Sequence, residues 1–322
     1  MGVAAFKKFI RPEVPRAGIV SERDLDIIEA ILRYRFSPTS ELVRLVGGNE
    51  DVTMHRLRNL WEWQIVNRFA FPFPRQHSEF VYYLDNRQAL ESLLVHGRLI
   101  EIHQQMEEEL RMNREADYAT AAIRGQHMKL GFLQHSLMVS RMHFMLETAC
   151  RKRKNLTLAY WQHGADLRGH KVEVPELISL RMSGSNEFVW REHDARMQKL
   201  PVEPDAIFSL GFADGRQSHF CYEADRGTMP MADILKKLRA YYHFIKRQAK
   251  HREAFGLHTI RAVLIETTSE ARARKMMDLA THPVVIGQGK RSSPFLFCHL
   301  SPVCGACRGN SSTVLTAPGI GL

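Results

Sequence analysis

The sequence predicts a two-domain α+β protein, an amino-terminal winged helix-turn-helix followed by a mixed β-sheet flanked by helices. Three observations carry that expectation. Helical apolar spacing fills three successive segments from Ser21 and then gives way to two strand-like runs; strands and helices alternate through the second half; and 322 residues suffice for two cores of ordinary size.

Residues 1–20 hold Lys7, Lys8, Arg11 and Arg16 among prolines with little periodicity, and are expected to form a flexible basic arm. In "SERDLDIIEAILRYRF", Ser21 is a helix cap, acids fill the first turn, and Leu25, Ile28, Ile31 and Leu32 recur at helical spacing. A second short helix, "SPTSELVRLVGG", closes on Gly47 and Gly48. The third, "EDVTMHRLRNLWEWQIV", turns Val52, Leu57, Leu60 and Trp61 inward, and "IVNRFAF" and "EFVYYL" make a hairpin across "PFPRQHS". Residues 21–97 are therefore expected as a winged-helix DNA-binding domain, and 98–125 as a helical linker.

The second domain, expected over 126–300, opens with a buried helix in "KLGFLQHSLMVSRMHFMLETACRKRK". Strands follow in "LTLAYWQ", "AIFSL" and "SHFCYEAD". A long helix from about Pro230 to Ala254, a strand "RAVLIET", a helix near 269–280 and a strand "PFLFCHL" complete a mixed sheet with helices on its faces. Residues 301–322 are expected as a disordered tail.

Forty-five Lys and Arg against thirty-five Asp and Glu give a net charge of +10, which favours a polyanionic partner. In a winged helix the third helix enters the major groove and the wing touches the flanking backbone. The expected contacts to double-stranded DNA are Thr53, His55, Arg56, Arg58 and Asn59 on the third helix, with Arg68 and Arg75 on or beside the wing. The first domain is nearly balanced in charge and its wing carries "FAFPFP", so a solvated or protein-contacting face is the alternative. A pairing helix over residues 91–109 would make a homodimer.

No apolar run approaches a membrane span, and the first residues lack an apolar stretch followed by a cleavage site, so a soluble, cytoplasmic protein is expected. Five cysteines without an export signal suggest reduced thiols.

The stretch "PDAIFSLGFADGRQSHFCYEADRGT" carries the chemistry. Asp205 opens one strand and Glu223 ends the next. If the two pair across "GFADGRQ", both carboxylates reach one sheet edge, with Glu223 and Asp225 on one face and Ala224 on the other. Mg2+ takes oxygen ligands, and Asp205 and Glu223 are its expected holders. Ion pairing of the acids with Arg226, Lys237 or Arg239, without a metal, is the alternative.

With "PD" opening one strand and "E-x-D" in the next, the order of elements resembles the restriction-endonuclease-like, PD-(D/E)XK fold. Together with the winged helix, "QHSLMVSRMHFMLE" and "PDAIFSL…FCYEADRGT…KLRAYYHF", it resembles the replication-relaxation family of bacterial plasmid and mobile-element proteins over roughly residues 20–270. The most specific matches are Glu223, Asp225, Arg226, Gly227 and Thr228, then Lys237, Leu238 and Tyr241. The resemblance implies a role in plasmid replication or relaxation, with DNA as ligand and replication or transfer proteins as partners. Such nucleases place Lys two residues after the second acid, where this chain has Asp225. Lys237 is the expected substitute with Lys236 as the spare, and Glu147 or His135 can add a ligand. The catalytic set is then Asp205, Glu223, Asp225 and Lys237.

Other signals are weaker. Cys298, His299, Cys304 and Cys307 suggest zinc, but adjacent strand residues point oppositely and no fourth ligand is evident. His135 and His143 lie two turns apart on one helix. "GQGKR" lacks a phosphate-loop spacing, and neither "GxxxxGK[ST]" nor "G-x-S-x-G" occurs. Basic residues recur along the helix after the acids, from Lys236 to Arg252, as a DNA-backbone track or a solvated face. Two functions fit these residues: a Mg2+-dependent DNA nickase, or a non-catalytic DNA-binding regulator whose second domain makes protein contacts.

Overall fold

The structure, a computed structural model, describes residues 11, 13, 18–71, 79–84, 95, 130–181, 188–288, 293–299 and 314–316. The chain is mixed α and β and divides into two compact units, Met1–Thr148 and Ala149–Leu322.

In the first unit, α1 (Glu22–Tyr34), α2 (Thr39–Val46) and α3 (Glu50–Glu62) surround a core of Leu25, Ile28, Ile31, Leu42, Leu57, Leu60 and Trp61. Ser21 and Asp24 form a reciprocal capping box at the start of α1, and the Asn49 side chain accepts from Val52 N at 3.1 Å to start α3. A small antiparallel sheet orders β1 (Ser37–Pro38), β3 (Glu79–Tyr83) and β2 (Asn67–Phe71). Arg11 is not loose in the expected arm: its guanidinium donates to Trp61 O at 3.1 Å, Val66 O at 3.0 Å and the Asn67 side chain.

Helix α4 (Leu130–Arg151), assigned from sequence to the second domain, groups with the first unit as far as Thr148. Its contacts explain this. Leu133 and Leu137 pack on Phe36 and Val81, Ser140 Oγ donates to Tyr34 O at 2.5 Å, and Glu147 takes Arg33 at 3.1 Å and the Tyr34 hydroxyl.

The second unit is built on a six-stranded sheet in the order β11–β10–β9–β8–β7–β4: Val314–Thr316, Phe295–His299, Ala262–Thr267, Gln217–Ala224, Ala206–Phe212 and Leu156–His163. β8, β9 and β10 run parallel, while β7 is antiparallel to both β8 and β4. The start of β7 therefore meets the ends of β8, β9 and β10 at one edge, where ligands of such sheets collect. Ile207, Cys221, Val263, Ile265, Phe295 and Phe297 share one face and pack with α5 (Met231–Tyr242) and α7 (Glu270–Ala280).

Three features depart from the sequence reading. The expected long helix is three pieces: α5, a π turn over His243–Arg247 and α6 (His251–Phe255), with Ala249 at φ 50 between the last two. Burial on every side from Leu238 to Ile245 explains why an amphipathic stripe misjudged its length. Val314–Thr316, inside the expected disordered tail, pairs antiparallel with β10. A separate two-stranded ribbon, β5 (Lys171–Arg181) and β6 (Phe188–Pro201), follows β4 and precedes β7 in the chain where no strands were expected. Among the described residues no helix is long and apolar enough to cross a membrane.

Candidate active site

Register brings the two acids together. Ala206 pairs with Tyr222, Asp205 N donates to Tyr222 O at 3.0 Å, and Ala224 N donates to Asp205 Oδ2 at 2.8 Å. Strand alternation puts Glu223 on the same face as Cys221, beneath α5, where it is 3% exposed. Lys237 and Tyr241 stand four residues apart on α5, hence on one helical face. Lys237 Nζ lies 2.5 Å from Glu223 Oε2, and the Tyr241 hydroxyl donates to Oε1.

The electrostatics follow from burial. Glu223 is pushed up to about 7, first by desolvation and then by the negative charge of Asp205, against the pull of Lys237. Lys237 is raised: burial works against its charge, but Glu223, Asp205 and Asp225 outweigh it. Asp205, Glu223 and Lys237 thus form one coupled group at the sheet edge. Mg2+ commonly binds through one or two carboxylates, with phosphate oxygens and water completing its octahedron. Among the described residues no group of three or more His, Cys, Asp or Glu side chains forms a cage. A divalent cation between Asp205 and Glu223 would relieve the smaller part of the Glu223 shift that comes from Asp205, but it would have to displace Lys237 or Tyr241 from the Glu223 oxygens.

Asp225, expected to share the face of Glu223 in the catalytic set, is engaged elsewhere. The strand ends at Ala224, and the Asp225 carboxylate accepts from Arg272 Nε at 2.6 Å, Arg272 Nη2 at 3.0 Å and Thr267 Oγ1 at 2.6 Å. Burial opposes its charge, yet Arg272 and Thr267 hold its pKa below the ordinary value. Arg272 also donates to Met229 O at 2.6 Å, tying down the turn that enters α5. Gly227 sits in that turn at φ 81, and a Cβ there would lie 2.8 Å from Thr268 Oγ1. Asp225 thus anchors the segment that delivers Lys237. Arg239, weighed as a partner for the acids, faces the other way and is fully buried, bonded to Val284 O, Pro175 O and Glu192 Oε1. Lys236, the spare, is exposed and pairs with Asp233 at 3.0 Å.

The residues expected to touch DNA fare unevenly. Thr53 is buried, not exposed: Arg23 donates to its Oγ1 at 2.6 Å, and Thr53 donates to Asn49 O. Val52, expected inside, is exposed in its place. Arg56 is engaged by Asp24, the buried capping acid of α1. His55 and Arg58 are exposed and Asn59 half-buried, with Arg58 paired to Glu62 at 2.9 Å. The Arg68 guanidinium stacks 3.8 Å from the Trp61 ring and 4.0 Å from that of Phe80, inside the unit and not on a wing tip. Arg75 lies outside the described residues, as do the linker at 98–125 and the pairing helix at 91–109, Val95 excepted.

Because Asp24 is wholly buried, removing its partner strands a charge. Arg56→Met is expected to destabilise the first unit by about 3 kcal/mol, measured by urea denaturation; a loss below about 1 kcal/mol would make the pair incidental.

Glu147 is held by Arg33 and Tyr34 within the first unit, so it is not an unengaged ligand. His143 is buried against Tyr34, ring centroids 4.7 Å apart, and desolvation lowers its pKa to about 4; His135 is half-buried on the same helix. Burial pushes the Cys298 thiol up to about 12, which disfavours a thiolate ligand, and His299 Nε2 lies 4.0 Å from Glu270 Oε2. Cys304 and Cys307 lie outside the described residues.

A protein-family model described as replication-relaxation matches residues 29–260. No curated protein and no solved structure matches the chain.

Proposed function

The chain belongs to the replication-relaxation family, and within that setting of plasmid and mobile-element replication or relaxation we propose that it binds duplex DNA and cuts one strand with Mg2+. The observation that carries this reading is the approach of Lys237 from α5 to Glu223, beside Asp205. It supplies by a helix the positive charge that a PD-(D/E)XK nuclease ordinarily has at the position of Asp225.

In this reading Asp205 and Glu223 would hold the metal, which would supply Lewis-acid stabilisation of the scissile phosphate and an activated water. Ala224 N fixes the Asp205 carboxylate, and Tyr241 orients that of Glu223. The Lys237 ammonium, its side chain 32% exposed, would stabilise the negative charge that develops on a bound phosphate. Asp225 and Arg272 position the turn into α5. The first unit, read as a winged helix, offers DNA chiefly His55, Arg58 and Asn59.

The test is Mg2+-dependent nicking of supercoiled plasmid. The wild type should convert it to open circles, and Asp205→Ala should not, with a rate at least about 100-fold lower. Equal rates, or no nicking with either Mg2+ or Mn2+, would remove the enzyme reading. A second reading has its own support: both Glu223 oxygens already hold hydrogen bonds, from Lys237 and Tyr241. That reading is a DNA-binding regulator without cleavage, and intact DNA binding without nicking is its signature.

A further inference from the structure

The β5–β6 ribbon is rooted where α5 supplies Lys237. Val172, Val174 and Leu200 enter the core, and Arg239, two residues beyond Lys237, bonds Pro175 O at 3.0 Å and Glu192 Oε1 at 2.7 Å. Pairing runs regularly to Pro175 and Met197, then resumes at Leu177 and Glu192, so residues 193–196 of β6 stand against Glu176 alone. This wide bulge turns the ribbon over. Before it, Val172 and Val174 face inward; after it, Leu177 and Trp190 pack on the core and Glu192 turns to Arg239.

Among the described residues, exposed cations outnumber exposed acids on the ribbon. Lys171, Arg191, Arg196 and Lys199 are all exposed, interleaved with exposed Ile178 and Met197. Against them, among the described residues, stand exposed Glu173, which pairs with Lys199 at 3.5 Å, and half-buried Glu176 in the bulge. A two-stranded ribbon with cations and a few apolar side chains on its outer face matches the width of a duplex groove and the charge of its phosphate walls.

We infer that the outer face of the β5–β6 ribbon is a second DNA-binding surface, gripping duplex backbone beside the candidate cleavage site. The inference rests on the proposed action on DNA but not on cleavage. Arg239 joins the two functions: the helix that presents Lys237 to Glu223 also holds the ribbon's root, so a duplex on the ribbon is held in fixed relation to the acids.

The experiment is fluorescence anisotropy of a labelled duplex with the full chain, in EDTA so that no strand is cut, across roughly 50–200 mM KCl. For the combined variant Arg191→Ala, Arg196→Ala and Lys199→Ala, each phosphate that goes unneutralised should flatten the log–log salt slope by about 0.9, and affinity near 150 mM salt should fall roughly 100-fold. Lys199→Glu alone, at a highly exposed position, should flatten the slope by about 1 with an unchanged melting curve, and decides the matter if the combined variant does not fold. An unchanged slope and affinity, or a wild type with no salt-dependent duplex binding, overturns the ribbon as a DNA surface. A flattened slope in a protein that nicks nothing upholds the ribbon and sinks the cleavage reading. Unaltered binding alongside nicking that Asp205→Ala abolishes does the reverse.

Discussion

Lys237→Met should lower the single-turnover rate of Mg2+-dependent nicking by about 1,000-fold, with little change in duplex affinity measured in EDTA. The Met side chain keeps the apolar stem of Lys237 and removes only the ammonium that meets Glu223 Oε2 at 2.5 Å. Two consequences reinforce each other. The positive charge available to the phosphate is gone, and Glu223 no longer has the neighbour that opposes its burial, so its pKa climbs above about 7 and the carboxylate is protonated near neutrality. The residual activity should therefore rise more steeply with pH than that of the wild type, a signature that simple loss of folding would not give. Lys237→Arg retains charge on a longer, planar group and should recover part of the rate. A Met variant within threefold of the wild type would show that Lys237 is a structural partner of Glu223 and that no cleavage passes through it.

The acids were legible because they lie at strand ends. A proline before Asp205 and alternation through "FCYEAD" fix which end and which face, and the observed register brings Asp205 and Glu223 to one edge. The contact of Lys237 with Glu223 was legible because α5 follows the acids at once and carries Lys237 in its second turn. The role of Asp225 was not legible, because its partner Arg272 comes 47 residues later, across β9. Periodicity names which side chains leave a helix face but not which distant group meets them. The same limit hid the pairing of Arg56, whose partner Asp24 is half of the capping box; "S-x-x-D" before an apolar run could have marked that acid as already engaged. The ribbon escaped because Pro175 and the four-residue bulge interrupt its alternation, although "KVEV" and the "SGSN" turn signal were present.

Glu223→Gln should abolish nicking at every pH and yet stabilise the protein at pH 8. Glu223 is raised from 4.5 to about 7 in the folded chain, so between those values the native state keeps a proton that the unfolded chain releases. Stability from this group is full below about pH 4.5 and is lost as pH rises through about 7, after which the fold carries a buried carboxylate. Lys237 titrates above its ordinary 10.5, so its own contribution persists through this window and is lost only in stronger alkali. Gln keeps a carbonyl to accept from Tyr241 and has no charge to desolvate, while Lys237, partly exposed, can turn to water or to Asp205. The expected gain at pH 8 is on the order of 1–3 kcal/mol in urea denaturation, shrinking toward zero at pH 5. A loss of stability of equal size at both values would mean that the ion pair with Lys237 outweighs burial. Asp205→Asn separates the two sources of strain: it removes the repulsion but not the desolvation, so the pH at which stability falls should move down toward the ordinary carboxyl range without reaching it. If Glu223 holds a cation, the charge that burdens the resting protein would be the charge the cation takes up, so stabilisation together with loss of nicking in Glu223→Gln is the paired outcome that reading requires.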